Sequence, residues 1–132
     1  MEHKIYHDTP QNILIVEDDP YMLYFVRISL EELFPKAEII EISNGLDALE
    51  KLSGKPPDLM ILDICLPGID GLEILRNIQK SEIKRKLKVL AISGNADKLA
   101  NISSLGADGA LTKPFSTTKL QEEIKKILLP RT

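Results

Sequence analysis

A chain of 132 residues, 43% apolar and 28% charged, has the makeup of one soluble globular domain and is too short for two ordinary ones. Its formal net charge of -3 and pI near 5.4 argue against a nucleic-acid surface. No apolar run approaches the roughly 18 residues of a membrane span, the polar start Met1-Glu2-His3-Lys4 has no signal-peptide core behind it, and the sole cysteine, Cys65, rules out an internal disulfide framework or a cysteine metal cluster; the cytoplasm is the expected compartment.

Residues 1–11 carry no periodicity and read as a flexible lead-in. His3 and His7 within it have a spacing compatible with metal binding on a helix, but two histidines in a ragged tail are read as incidental. Residues 13–16 (Ile-Leu-Ile-Val) form a run rich in β-branched side chains, as expected of a strand buried on both faces of a parallel sheet. Asp19 then caps a helix with Pro20 at its first position, running to about residue 34. Its face Met22, Phe25, Val26, Leu30 and Leu33 belongs in the core. Tyr21, Tyr24 and Ile28 make a second stripe, either a docking surface or extra core width.

A second strand is predicted over 38–42 and a short helix over 45–52, ended by Gly54-Lys55-Pro56-Pro57. The third strand (59–62) precedes a turn-rich segment and a helix spaced by Leu72, Leu75 and Ile78. A fourth strand covers 87–92, a weaker helix 97–105, and a short fifth strand 110–112. Ser116 caps the last helix, with Phe115 and Leu120 at the positions of a hydrophobic staple and Leu120, Ile124, Ile127 and Leu128 on its apolar face. One domain over 12–129, with a short tail at 130–132, follows. Five strands alternating with five helices wind into a doubly wound α/β fold, a parallel sheet with helices on both faces.

Function in such folds lies beyond the carboxyl ends of the strands, and there the chain carries Glu17, Asp18, Asp63, Ser93 and Lys113. Crowded carboxylates repel one another and call for a cation. Magnesium, a hard ion that takes oxygen ligands, suits them, with Asp18 and Asp63 as direct ligands and Glu17 acting through water. A carboxylate beside that metal can attack a phosphoryl group to give an aspartyl phosphate. Lys113 would neutralise charge and Ser93 would donate to the new phosphoryl oxygen. Taken singly, each of these residues reads as a cap or turn former; the case rests on their order and spacing together.

Residues 13–19 (Ile-Leu-Ile-Val-Glu-Asp-Asp), 58–71 (Asp-Leu-Met-Ile-Leu-Asp-Ile-Cys-Leu-Pro-Gly-Ile-Asp-Gly), 89–94 (Val-Leu-Ala-Ile-Ser-Gly) and 106–115 (Gly-Ala-Asp-Gly-Ala-Leu-Thr-Lys-Pro-Phe) resemble the receiver domain of two-component response regulators, over almost the whole chain. The resemblance implies a flavodoxin-like strand order 2-1-3-4-5 and Asp63 as phosphoacceptor. It also implies Glu17 and Asp18 as the acidic pair, Ser93 as switch hydroxyl, Lys113 as the lysine, and the backbone carbonyl of Cys65 as a further magnesium ligand. A cis Lys113-Pro114 bond and a phosphodonor, either a sensor histidine kinase or a histidine phosphotransfer protein, are implied as well, with a downstream protein target and no direct contact with nucleic acid or membrane.

The chain departs from the family at Ala110, where a rotating aromatic is usual, and at Gly94, more often alanine, which could compensate by leaving the backbone freer; the alternative is that the signal leaves by another surface or barely leaves at all. Cys65 and Asn95, neither bulky, flank the phosphoryl position; Cys65 is read as a small, semi-buried hydrophobe. The chain ends shortly after the last helix, which reads as a receiver standing alone or cut from a longer protein. Other readings are a docking scaffold independent of phosphorylation and a magnesium-dependent phosphatase with an aspartate nucleophile. The latter wants an aspartate where Cys65 stands. A flavin-mononucleotide binder would not place Glu17-Asp18-Asp19 at its phosphate loop.

Overall fold

Strict alternation of side chains along buried strands divides the core into two layers. The computed structural model describes residues 9–129; the first eight residues of the lead-in, His3 and His7 among them, and the tail at 130–132 lie outside the described residues. Strands β1 (Asn12–Val16), β2 (Glu38–Ile42), β3 (Leu59–Asp63), β4 (Lys88–Ser93) and β5 (Gly109–Thr112) form an all-parallel sheet in the order β2-β1-β3-β4-β5, as the resemblance implies. The helices are α1 (Pro20–Leu33), α2 (Gly45–Ser53), α3 (Gly71–Gln79) and α4 (Thr117–Leu128).

Ile13 and Ile15 of β1, Leu59 and Ile61 of β3, and Leu90 and Ile92 of β4 pack with Val26 and Leu30 of α1 and with Leu120 and Ile124 of α4. The intervening residues Leu14, Val16, Met60, Leu62, Val89 and Ala91 pack on the other face, against Ala48 and Leu52 of α2 and Ile74, Leu75 and Ile78 of α3. Leu59 to Leu62 of the central strand are wholly inaccessible to solvent. With each such side chain contributing roughly 1.5–3 kcal/mol on burial, β3 is held too firmly to shift register, and the residue at its carboxyl end is held with it.

Each of the four α-helices is capped by a side chain from the loop that leads into it. Asp19 accepts from Tyr21 N at 3.3 Å, Asn44 from Asp47 N at 2.8 Å, Asp70 from Glu73 N at 3.1 Å and Ser116 from Lys119 N at 3.0 Å. Phe115 and Leu120 join the same apolar layer, as the staple requires.

The helix expected over 97–105 is not an α-helix. Two 3-10 turns, Ala96–Leu99 and Ile102–Leu105, stand there, separated by an extended Ala100 (ψ 133) and by Asn101 in the left-handed region at φ 61. Local polar side chains compete with the helical ladder. Asn95 Oδ1 takes Asp97 N at 3.0 Å, and Ser104 Oγ donates to Asn101 O at 2.7 Å. Only Ile102 of the two turns is buried, so little packing rewards a longer helix. A further 3-10 turn, Glu82–Arg85, precedes β4.

On the outer edge of the sheet, the guanidinium of Arg27 in α1 donates to Ile39 O of β2 at 3.0 Å and pairs with Glu41 of the same strand and with Glu31.

The loop between β3 and α3 is packed too closely for any side chain at Gly71. A Cβ there would stand 2.6 Å from Ile64 Cα and 2.7 Å from Asp63 O, while at Gly94 it would meet nothing within 4 Å. Gly71→Ala is therefore expected to destabilise the fold by about 1–3 kcal/mol through overpacking. Gly94→Ala should be neutral or stabilising by about 0.4–1 kcal/mol, because it restricts the unfolded chain. Urea unfolding midpoints of the two variants check the contrast.

Candidate functional site

The parallel sheet delivers its strands' carboxyl ends to one edge, and the polar residues there converge. Glu17 follows β1 directly, Asp63 ends β3, Ser93 ends β4 and Lys113 follows β5. One carboxylate oxygen from each of Glu17, Asp18 and Asp63 lies within 4.8 Å of the others. Glu17 (0% accessible) and Asp63 (2%) are buried, whereas Asp18 faces solvent.

Each oxygen of Asp63 has a partner. Oδ1 accepts from Cys65 N at 3.1 Å, and Oδ2 meets Lys113 Nζ at 3.4 Å. The same ammonium stands 2.9 Å from Glu17 Oε1. That contact is a buried ion pair. The other oxygen of Glu17 accepts from Asp19 N at 3.0 Å.

Ser93 is wholly buried and joins the group through Cys65. Its Oγ accepts from Asn95 N at 3.0 Å and lies 3.6 Å from Cys65 Sγ. Its carbonyl accepts from Lys113 N at 2.8 Å, and the Lys113-Pro114 peptide is cis, as implied by the resemblance.

Burial pushes the Glu17 carboxyl above its ordinary pKa, the nearby Asp63 charge adds to that, and the Lys113 ammonium only partly offsets them. Burial opposes the Lys113 charge, yet Glu17 and then Asp63 outweigh it and hold its pKa above the usual lysine value. Three carboxylates face one ammonium, which leaves the cluster short of positive charge. Three oxygen donors within 4.8 Å of one another and an excess of negative charge together fit a hard divalent cation such as magnesium.

The structure thus gathers the five polar side chains singled out from the sequence. One expectation is corrected and one open alternative is decided. Cys65 is exposed rather than semi-buried, standing on the loop between β3 and α3. The stripe on α1 is not core width: Tyr21, Tyr24 and Ile28 are 85%, 65% and 44% accessible, while Val26 and Leu30 fill the interior and Met22, Phe25 and Leu33 flank it. The Lys113–Glu17 ion pair was not foreseen; its only sequence signal is that both residues follow strand ends.

The model of the family described as "Response regulator receiver domain" matches residues 13–125. Over 120 residues the chain is 33% identical to Sporulation initiation phosphotransferase F of Bacillus subtilis, covering 89% of this chain and 94% of that protein. It is 38% identical over 118 residues to Response regulator ArlR of Staphylococcus epidermidis, covering 89% of this chain but 52% of that longer protein. Among solved structures, response regulator protein TrrA from Thermotoga maritima, in complex with Mg(2+)-BeF, superposes with a TM-score of 0.77 at 34% identity, over 89% of this chain and 99% of that one.

Proposed function

The chain belongs to the response regulator receiver domain family, and we propose on that premise that Asp63 is its phosphoacceptor, charged by the phosphohistidine of a sensor kinase or a phosphotransfer protein. The observation that carries this reading is the geometry of Asp63. It is a buried carboxylate at the end of the central strand, steadied by Cys65 N and Lys113 Nζ and lying within 4.8 Å of Glu17 and Asp18.

Glu17, Asp18, Asp63 and the backbone carbonyl of Cys65 are the groups that would hold magnesium. When bound, the ion supplies positive charge to carboxylate and phosphoryl oxygens that would otherwise repel. An Asp63 oxygen attacks phosphorus, the phosphorus–nitrogen bond to the donor histidine breaks, and the electron pair leaves with the imidazole. Lys113, already between Glu17 and Asp63, follows the charge that develops on the phosphoryl oxygens. The buried Ser93 hydroxyl, whose oxygen accepts from Asn95 N, donates its hydrogen to one of them. Hydrolysis of the acyl phosphate by water returns the carboxylate.

Receiver domains are signalling modules. In this chain we assign the residues no chemistry beyond their own phosphorylation and dephosphorylation, with residues 12–129 as the receiver unit and a protein as the downstream target. Among the described residues no helix is long and apolar enough to cross a membrane. We take the cytoplasm, where phosphohistidine donors with access to ATP act, as the place of work.

Incubation with acetyl phosphate and magnesium should add a single phosphate to the intact chain, labile to hydroxylamine as an acyl phosphate is. Chelation of the metal should prevent it. A folded chain that gains no phosphate from either acetyl phosphate or a phosphohistidine donor would overturn the reading.

A further inference from the structure

Two residues proposed to contact the phosphoryl group pull on one junction of the backbone. Ser93 and Lys113 are joined by the Lys113 N to Ser93 O hydrogen bond of 2.8 Å. The chain leaving that junction, Pro114-Phe115-Ser116, enters α4 at once. Phe115 meets Phe25 of α1 with ring centroids 5.9 Å apart and planes inclined at 47°. Beyond the rings a polar seam continues between the helices. Ser29 Oγ and Thr117 Oγ1 are 3.2 Å apart, and Gln121 Nε2 donates to Ser29 O and to Glu32 Oε1, both at 2.9 Å.

The alternative route, through β5 and the segment after β4, lacks moving parts. Ala110 has no side-chain rotamer to change. The segment after β4 is two 3-10 turns interrupted by extended and left-handed residues, not a continuous helix that could swing as a lever.

We propose that occupancy of Asp63 is transmitted through the Phe115–Phe25 ring pair and the Ser29–Thr117–Gln121 seam to α1. The response then runs along α1 towards Ser29 and Glu32, and not through β5. This inference rests on Asp63 being the phosphoacceptor. A phosphoryl group adds roughly 1.5 to 2 negative charges, enough to draw Lys113 from its place beside Glu17. Aromatic rings in contact hand on a displacement of either partner, and the seam couples α1 to the first turns of α4.

The test compares backbone amide NMR shifts of the full chain with and without magnesium and beryllofluoride, in wild type, Phe115→Leu and Phe25→Leu. In wild type, shifts are expected in the loops after β3 and β4 and along α1 as far as Ser29 and Glu32, too far along the helix for the bound ion alone to perturb, with little change at Ala110. Either leucine variant keeps an apolar side chain but loses the ring pair. Each should cut the response at Ser29 and Glu32 at least threefold while the loop shifts persist. Loop shifts with a silent α1 in wild type would overturn the inference and leave the phosphoacceptor reading intact. So would an undiminished α1 response in whichever leucine variant folds, and a response centred on Ala110 would do the same. Absence of loop shifts in a folded wild type would remove both readings together.

Discussion

Asp63→Asn should be refractory to acetyl phosphate under conditions that label the wild type, and should at the same time unfold later. The two effects share a cause. Glu17, Asp18 and Asp63 stand against the single ammonium of Lys113, within 4.8 Å of one another. Removing the Asp63 charge deletes two repulsions and one attraction, so the metal-free domain gains on the order of 1–2 kcal/mol at effective dielectric values suited to such sites. Lys113 keeps Glu17 as a partner. Intact-mass labelling and urea unfolding in chelator check both halves. Labelling of the variant equal to wild type would assign the phosphoryl group elsewhere, and a destabilised variant would show that the Lys113 attraction exceeds the repulsions.

Addition of magnesium should raise the melting temperature of the wild type and leave Asp18→Asn almost unmoved. A ligand that binds only the folded state stabilises it by about 1.4 kcal/mol at ten times its dissociation constant. For a domain of this size that corresponds to roughly 3–6 °C. Asp18 is the exposed member of the carboxylate trio, so its replacement should cost the fold itself little and isolates the ligand role. A magnesium titration followed by thermal melts of both proteins gives the comparison. Equal increments in the two would exclude Asp18 as a ligand.

The site was readable because its residues sit at the ends of strands whose own identity is unambiguous. Residues 59–62, a short apolar run between Pro56-Pro57 and a turn-rich segment, read as a buried strand, and Asp63 is fixed by being next. The same holds for Glu17 after Val16 and Lys113 after Thr112. Elements fixed by packing were legible to within a residue or two; β2 was expected at 38–42 and is Glu38–Ile42.

What escaped the sequence depended on contacts between distant segments or on competition within one. The 97–105 stretch has leucine and isoleucine enough for a weak helix. Its outcome was decided by Asn95 and Ser104 side chains bonding to nearby backbone and by Asn101 in the left-handed region. Exposure of Cys65 and of the α1 tyrosines depended on which neighbours the helices would cover. The Ser29–Thr117 and Gln121–Glu32 contacts join residues some ninety positions apart, and no local pattern announces them.

The Arg27 clamp has a consequence for how the protein behaves at high concentration. An open sheet ends in strands whose outer backbone groups invite another chain to add itself, the first step towards aggregates. At β2 that invitation is withdrawn: a guanidinium from α1 occupies the Ile39 carbonyl, and Glu38 and Glu41 lie exposed along the strand. A second copy approaching that border would have to strip the arginine from its carbonyl and its carboxylates, and then bring its own glutamates against these. Arg27 therefore acts as a guard on the sheet's margin, favouring solubility and keeping encounters between copies from becoming strand pairing.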